Sequence, residues 1–398
     1  MKLFSNRNFF LIWSGKLVSM IGDRFYTLVL ALWLLKKSGS PAIMGAVLVA
    51  SALPAFLAGF LSGAIVDRAN KKRVMVVTDL LRGLLTSLLA YLELTGALLL
   101  WHIIAVSVAV SVLNAFFDPA AKALIADVVP EPDWPGANAL EQLVNGVSGI
   151  LAPLLGAVAI GAVGYSGGFL INGVSFLLSA FLETFIRAPE PAPQPRAQRG
   201  RLSADVRGGF AFVLQNSRLL KVVAIVAAAH FAAGSFGLVL PFLAQSLSAN
   251  EMNLGLLQGS VGAGMVLGAT ALNVKRLRKR SNRLLIRLVR ALGALYLLTG
   301  TLRALGVSSV FPYLAAVALI GAALSNAASL WQLLLQLETP PALRGRVFSI
   351  VSILANVSIP VAYGTVGLLL ETVGFPLYLI LLGVLFLLLS LLWRRKLG

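Results

Sequence analysis

Long apolar segments separated by short polar turns run along the whole chain. The apolar runs are about 18 to 26 residues long, enough for a helix that rises 1.5 Å per residue to cross about 30 Å of hydrocarbon. The pattern predicts an all-α membrane protein with twelve transmembrane helices, at residues 8–35, 42–66, 74–95, 99–119, 137–162, 166–187, 219–246, 252–273, 284–304, 308–335, 347–371 and 374–393.

Composition agrees with this pattern. Of the 398 residues 58% are hydrophobic and only 12% are charged, whereas soluble domains carry about 25% charged residues. The sequence contains no cysteine, so disulfides, thiol nucleophiles and thiolate metal sites are excluded. We find no nucleotide-binding P-loop, protease motif or metal-ligand spacing. We therefore expect neither an enzyme nor a bound cofactor or metal.

The basic residues lie mostly on one side of the predicted spans. With the N-terminus in the cytoplasm, the termini and even-numbered turns hold 27 of the 33 Lys and Arg residues. The opposite side holds Lys36, Lys37 and Arg303, and three more lie inside spans. The positive-inside rule then predicts both termini in the cytoplasm of a bacterial-type inner membrane. Nucleic-acid binding is disfavoured, because these charges form no continuous basic face.

The chain divides into two six-span halves. A Pro- and Arg-rich segment at 188–217, which is predicted to include a short amphipathic helix, separates an N-terminal bundle at 1–187 from a C-terminal bundle at 218–398. Each half has a basic turn after its second span and a proline-bearing turn after its fourth. Such repeats are typical of transporters with a substrate site near the midplane between two bundles.

The first basic turn carries the strongest motif. Its members are Gly63, Asp67, Arg68, Lys71, Lys72 and Arg73, with Asn70 between them. This turn resembles the G-x-x-x-D-R-x-G-R-K motif of the major facilitator superfamily, with Asn70 in place of a glycine. Asparagine tolerates the left-handed backbone expected of such a turn. A basic turn that only sets membrane orientation is the alternative.

The resemblance implies a conformational latch. In the family the aspartate, here Asp67, caps a helix of the opposite bundle, which here is expected to begin near Arg346. The arginine, here Arg68, reaches an acid at the inner end of the fourth span, for which Asp118 is the expected residue. A carboxylate at a helix N-terminus is stabilised by the helix dipole. Breaking the latch would shift the balance between inward-open and outward-open states.

The fifth span carries a second motif. Ser148, Ala152, Pro153 and Gly156 resemble a small-residue version of the superfamily's exporter signature, G-x-x-x-G-P-x-x-G-G. Small residues at this spacing permit close helix approach, and proline kinks the span. Ordinary small-residue packing is the alternative.

Nearly the whole chain resembles the branch of the superfamily that exports macrolides and enterobactin. The resemblance is carried by the opening NRNFFLIWSGKLVSMIGDRF, by FFDPAAKALIADVVPEPDWPGANAL and by LRGRVF. It implies a monomeric drug:proton antiporter that exports lipophilic or amphipathic molecules by alternating access. A siderophore exporter, a lipid or lysolipid translocator, and a non-transporting sensor of the same fold are the alternatives.

Ionisable residues inside spans are candidates for proton coupling, because a charge near the bilayer centre is costly. Asp23 is the leading candidate, with a permanent ion pair to Lys16 or Arg24 as the alternative. Asp79 is a further candidate for proton coupling. The alternative is that it only forms a neutralising ion pair with Arg82, three residues later on the same helix. Glu141 is the third candidate for proton coupling. The alternative is that it belongs to a group of charges that closes the cytoplasmic side of the transporter.

In the family, spans 1, 4, 7 and 10 line the substrate cavity, where amphipathic and cationic ligands suit apolar walls. Aromatic packing is the alternative for each aromatic candidate, and a hydrogen-bonded packing role is the alternative for the histidine. The candidates on these spans are Tyr26, Asn114, Phe117, His230, Phe236, Asn326 and Trp331.

Overall fold

The computed structural model describes residues 2–187, 215–248, 251–271, 281–339 and 344–397. In these ranges the chain folds into long helices joined by short turns, with a helical turn at Lys2–Ser5 and a 3-10 turn at Glu131–Asp133. The long helices are α1 Arg7–Ser38, α2 Pro41–Val66, α3 Lys71–Leu94, α4 Leu100–Val128, α5 and α6 within Trp134–Thr184, α7 Ser217–Leu247, α8 Glu251–Ala271, α9 Ser281–Ala304, α10 Phe311–Glu338, α11 Arg344–Val373 and α12 Phe375–Leu397.

Gly164 separates α5 from α6. Its φ of 67° and ψ of −171° interrupt the helical backbone of Trp134–Thr184, so α5 is the part before this residue and α6 the part after it. The predicted boundary between the fifth and sixth spans, at 162–166, is confirmed there. The predicted all-helical architecture with twelve long helices is confirmed in the described residues. The predicted linker and its amphipathic helix lie almost entirely outside them.

The helices are suited to a membrane. Nine helical segments of the described chain are long and apolar enough to cross a bilayer, with α5 and α6 counted together, and Phe375–Leu391 of α12 is a shorter apolar helix. Large apolar side chains point away from the protein, as shown by Leu61 at 63% exposure and Leu368 at 65%. Such a surface would be unfavourable in water but is favourable in lipid.

The second half repeats the first with a constant spacing. Four helices begin 210 residues after a helix of the first half, and this spacing is the internal repeat that the matched turns predict. The paired first residues are Arg7 and Ser217, Pro41 and Glu251, Lys71 and Ser281, and Trp134 and Arg344.

Glycines with positive φ mark the turns on one side of this repeat. Five described turns that follow an odd-numbered helix hold such a glycine, which ends the helix without the steric cost of a Cβ atom. They are Gly39, Gly96, Gly164, Gly306 and Gly374. Gly96 and Gly306 are again 210 residues apart, as are Gly164 and Gly374. The sequence places the basic turns on the other side.

The chain forms two compact units. The first comprises Met1–Gly39, Ala46–Gln194 and Asn250–Gly259, and the second comprises Ser40–Gly45, Pro195–Ala249 and Ser260–Gly398. In the first unit α1 packs on α5 and α6, while α3 packs on α4 and α6. In the second unit α7 packs on α10 and α11, while α9 packs on α10 and α12. Counted within each unit, the first helix of the half packs on the fifth, and the third packs on the fourth and sixth, in both units.

The first turn of α2 belongs to the second unit through a capping contact. Glu371, near the end of α11, accepts hydrogen bonds on Oε2 from the Ala42 N–H at 3.2 Å and from Ser40 Oγ at 2.9 Å. A Cβ atom on Gly45 would lie 2.4 Å from the Tyr363 carbonyl oxygen. A carboxylate at a helix N-terminus and a close backbone contact therefore hold this turn.

Glycines also let helices approach closely inside each unit. A Cβ atom on Gly83 of α3 would lie 3.0 Å from the Gly173 carbonyl oxygen of α6. In the second unit, a Cβ atom on Gly293 of α9 would lie 2.9 Å from the Gly383 carbonyl oxygen of α12. Gly293 follows Gly83 by 210 residues, and Gly383 follows Gly173 by the same number. The same close crossing is therefore used in both units.

We predict that Gly383→Ala lowers thermal stability. Its Cβ atom would lie 2.5 Å from the backbone nitrogen of Leu297, and overpacking of this kind costs about 1–3 kcal/mol. Gly161→Ala is the matched control, because a Cβ atom there meets nothing within 4 Å and alanine is the better helix former. Unfolding midpoints in detergent should fall for the first variant alone; equal midpoints would contradict the close crossing.

Candidate functional site

A buried arginine lies at the centre of the first unit. Arg82 of α3 is 1% exposed. Its Cζ atom lies 4.4 Å from the ring centroid of Phe117 on α4 and 4.4 Å from that of Phe176 on α6. The guanidinium group is thus stacked between two aromatic faces, an arrangement that stabilises a desolvated cation.

Polar groups of three helices contact this guanidinium group. Arg82 Nη2 donates to Asp79 Oδ1 on the same helix, and Nη1 donates to Asn114 Oδ1 on α4 at 3.0 Å. Asp23 Oδ2 of α1 lies 4.0 Å from Nη1. We call Asp23, Asp79, Arg82 and Asn114 the polar cluster. The structure therefore brings two predicted proton-coupling residues and one predicted cavity residue together.

Asp23 is the accessible acid of the polar cluster. Its side chain is 31% exposed, whereas those of Asp79 and Arg82 are 0% and 1% exposed. The ion pair that the structure gives Asp23 is with Arg82, not with Lys16 or Arg24 as in the sequence alternative. Asp23 is therefore the more exposed of the two acids in the polar cluster.

Glu183 is a further buried acid that the sequence reasoning missed. It lies near the end of α6, is 0% exposed, and accepts a hydrogen bond on Oε1 from Ser179 Oγ at 3.3 Å. Asp79 and Arg82 act on it electrostatically. Its position in the sequence indicates this role, since Glu183 is an acid inside the predicted span 166–187, where a charge is as costly as at Asp23.

A second charged group ties α1 to α5. Lys16 Nζ lies 2.6 Å from Glu141 Oε1 and 3.8 Å from Asp118 Oδ1. The Lys16 and Glu141 side chains are 10% and 14% exposed. Glu141 is thus paired with a base. The resemblance implies Arg68 as the partner of Asp118. In the structure Asp118 lies beside Lys16, because α1 places that amine next to the C-terminal half of α4.

Two lysines of the basic motif, at the start of α3, contact α4 and α6. Lys71 Nζ lies 2.5 Å from Asp127 Oδ2 of α4, and Lys72 Nζ donates to the Thr184 carbonyl oxygen of α6 at 2.7 Å. Asp67 and Arg68 are exposed. The Arg346 side chain, near the expected target of Asp67, lies outside the described residues.

The explanation offered for Asn70 is wrong. Asn70 has φ −70° and ψ 105°, an extended rather than left-handed backbone. Its side-chain oxygen accepts a hydrogen bond from the Arg73 N–H at 3.0 Å. Asparagine is therefore favoured here because it caps the N-terminus of α3.

The exporter motif forms a close-packed face of α5. Ser148 and Ala152 are fully buried, and a Cβ atom on Gly156 would lie 2.8 Å from Leu28 Cδ2 of α1. A Cβ atom on Gly255 of α8, whose first turns belong to the first unit, would lie 2.6 Å from the Pro153 carbonyl oxygen. The small residues therefore bring α1 and the start of α8 against α5.

Two aromatic candidates are core residues. Tyr26 is 7% exposed, its hydroxyl lies 3.1 Å from Ser107 Oγ, and its ring packs 5.8 Å from Phe169. Phe236 is 2% exposed, with its ring 5.5 Å from that of Tyr296. Both side chains are used in packing within their units.

The second unit places the other candidates on α7 and α10. His230 Nδ1 lies 2.9 Å from the Val226 carbonyl oxygen, and its ring lies 6.4 Å from that of Trp331. Trp331 Nε1 and Asn326 Oδ1 are buried without a hydrogen-bond partner in the described part of the chain. This group offers aromatic surface, and no acid of the second unit's described helices joins it.

The fold and the polar cluster define a polytopic membrane protein of transporter architecture. The Major Facilitator Superfamily matches residues 12–356, and the chain belongs to this family. It is a multi-pass membrane transporter and not an enzyme.

Individual similar proteins agree with this classification. Macrolide efflux protein A of Streptococcus pyogenes is 21% identical over 378 residues, which cover 95% of this chain and 93% of that protein. The multidrug efflux pump Tap of Mycolicibacterium fortuitum is 26% identical over 379 residues, or 90% of each chain. The crystal structure of the nucleoside transporter NupG has a TM-score of 0.79 at 11% identity and covers 97% of this chain and 98% of that one; this likeness concerns the fold alone.

We predict that Lys16→Met lowers stability markedly. Removing the amine leaves Glu141 as a nearly buried carboxylate without its base, which costs about 3 kcal/mol. Lys71→Met is the control, since the Lys71–Asp127 pair is more exposed and such pairs contribute about 0–1 kcal/mol. Thermal unfolding in detergent measures both. The double variant Lys16→Met/Glu141→Gln should recover part of the loss, and a Lys16→Met midpoint equal to that of Lys71→Met would contradict the assignment.

Proposed function

We propose that this transporter is a proton-coupled antiporter that exports lipophilic or amphipathic small molecules, favouring those with a positive charge. The observation that supports it best is the position of Asp23, a partly exposed carboxylate 4.0 Å from a buried, aromatic-stacked arginine. An acid in apolar surroundings exchanges protons when its counter-charge is loose.

Competition for Asp23 supplies the coupling. The ionised carboxylate attracts either a cationic substrate or the Arg82 guanidinium group, whereas the protonated acid attracts neither strongly. A proton and a cation therefore cannot occupy it together. Binding of one favours release of the other, as exchange transport requires.

Arg82 and Asn114 transmit this change to neighbouring helices. Because Arg82 contacts Asp79 on α3, Asn114 on α4 and Asp23 on α1, a change of charge at Asp23 alters the balance of contacts among three helices. A shift between two packed arrangements follows when the ligand binds one of them better. The latch residues Asp67 and Arg68 are proposed to bias the same shift.

The second unit has an apolar and aromatic group of its own that suits an apolar ligand. His230 and Trp331 lie close together on α7 and α10, and the buried Trp331 Nε1 has a free N–H within the described residues. Aromatic surface with a single donor suits a large apolar ligand that carries a hydrogen-bond acceptor. The efflux proteins among the relatives, named for macrolides and for multidrug transport, support export and this substrate class.

The proposal includes a location. The concentration of Lys and Arg in the even-numbered turns and termini supports a bacterial-type inner membrane with both termini in the cytoplasm. The halves 1–187 and 218–398 would act as the two moving bundles of a monomer that contacts membrane lipids.

We predict that Asp23→Asn abolishes ligand-driven proton movement, because an amide neither ionises nor takes up a proton. The measurement uses proteoliposomes with an imposed pH gradient and an internal pH-sensitive dye, to which a macrolide, a lipophilic cation or a catecholate siderophore is added. Wild-type protein should move protons with one ligand class, and that class identifies the substrate group.

Asp127→Asn is the matched control for this experiment. Asp127 is an exposed acid paired with Lys71, so its loss should leave proton flux within about twofold of wild type, as expected for a surface ion pair. Full coupling in Asp23→Asn would remove Asp23 from the mechanism. Lipid exchange between leaflets by wild-type protein, with no ligand-driven proton flux, would instead support a lipid translocator.

A further inference from the structure

Glu183 is the buried acid that the proposed exchange at Asp23 does not use. Its side chain lies wholly inside the first unit. Its Oε1 atom accepts a hydrogen bond from Ser179, while its Oε2 atom and Asp79 Oδ2 are both buried without hydrogen-bond partners in the described residues. A buried carboxylate without a base is unfavourable, whereas a protonated carboxyl group is not.

Ser179 lies between two carboxyl groups. Its hydroxyl donates to Glu183 Oε1 at 3.3 Å, and its side chain also interacts with that of Asp79. Gly15 of α1 packs against Ser179, where a Cβ atom would lie 3.0 Å from Oγ. The glycine leaves the hydroxyl room beside both acids, and α1 covers this part of α6 without adding a charge at that position.

Acidic groups outnumber basic groups around Glu183. Asp79 and Arg82 face it from α3, and Asp79 is in turn influenced by Asp118 of α4. Asp23 of α1 shares Arg82 with Asp79. One guanidinium group therefore serves three buried or partly buried acids, and it already pairs with Asp79.

We propose that Glu183 is a second proton-binding residue of the transport cycle, which exchanges one proton with Asp79 through the hydroxyl group of Ser179. This inference rests on the proposed proton coupling and extends it to a residue that touches neither substrate nor Asp23. Glu183 is thus a proton-relay residue rather than a ligand contact.

The proton exchange leaves the total charge of Asp79 and Glu183 unchanged when Arg82 moves. If Arg82 turns toward ionised Asp23, Asp79 loses its counter-charge and takes the proton from Glu183. On return, the Asp79 O–H bond breaks as its proton passes to Ser179 Oγ, and the Ser179 proton passes to Glu183 Oε1. The pair keeps one proton and one negative charge throughout. Ionised Glu183 would lie next to Thr184, whose carbonyl oxygen is bonded to the Lys72 ammonium group.

We predict that Glu183→Gln slows ligand-driven proton flux by about tenfold or more, as loss of a positioned proton donor does. Affinity for the transported macrolide or lipophilic cation should stay within about twofold of wild type, because Glu183 contacts no ligand. Infrared spectroscopy of the purified protein gives an independent measurement. The wild type should show the absorption of a protonated carboxyl group that exchanges with deuterium, and Glu183→Gln should lack it.

Ser179→Ala tests the relay without altering an acid. It should slow the flux while keeping the infrared band. Ser175, one turn earlier on α6, donates to Asn172 alone among the described residues, so Ser175→Ala should leave both the flux and the band unchanged. Wild-type flux in Glu183→Gln and Ser179→Ala, or an unchanged infrared band in Glu183→Gln, would overturn the inference. Failure of the proposed function is distinguishable from failure of this inference. In that case the wild-type protein would move no protons with any ligand, while the infrared band would still show whether Glu183 is protonated.

Discussion

Burying a charge among apolar helices is possible only where other groups compensate for its lost hydration, and the first unit is organised around one such charge. Arg82 is stacked between Phe117 and Phe176 and contacts Asp79, Asn114 and Asp23. These partners come from α1, α3, α4 and α6, so one guanidinium group sets how four helices face one another. Asp23 shares this guanidinium group with Asp79, and Glu183 forms no ion pair within the described residues.

Sequence alone was sufficient for the architecture. A transmembrane helix satisfies its own backbone and needs only an apolar run of sufficient length, so hydropathy predicted all twelve helices and the break near Gly164. The matched turns also predicted an internal repeat, which the 210-residue spacing of four helix starts shows. Hydropathy does not predict how each helix is rotated about its own axis. A span that is apolar on all sides gives little indication of which face packs against which neighbour.

The candidate site shows this limit residue by residue. Spacing along α1 left an ion pair with Lys16 open as the alternative for Asp23, yet Lys16 contacts Glu141, 125 positions away. Arg82 was expected to neutralise Asp79, and it does so while also reaching Asp23 and Asn114. Glu183 lies near the end of its span, where an acid is easily taken for a surface residue; only the packing of α6 against α3 shows that it is enclosed.

The 210-residue spacing has a consequence for the origin of this chemistry. It is the spacing expected of a chain that arose by tandem duplication of one ancestral half, after which each copy diverged. Counted forward by 210, Asp23, Asp79, Arg82 and Asn114 correspond to Ala233, Val289, Leu292 and Leu324. Gly83, Gly96, Gly164 and Gly173 each have a glycine 210 residues later, whereas Gly39 corresponds to Ala249 and the polar cluster corresponds to four apolar residues. The repeated spacing is therefore accompanied by matched glycines at the turns and crossings but not by a second copy of the polar cluster.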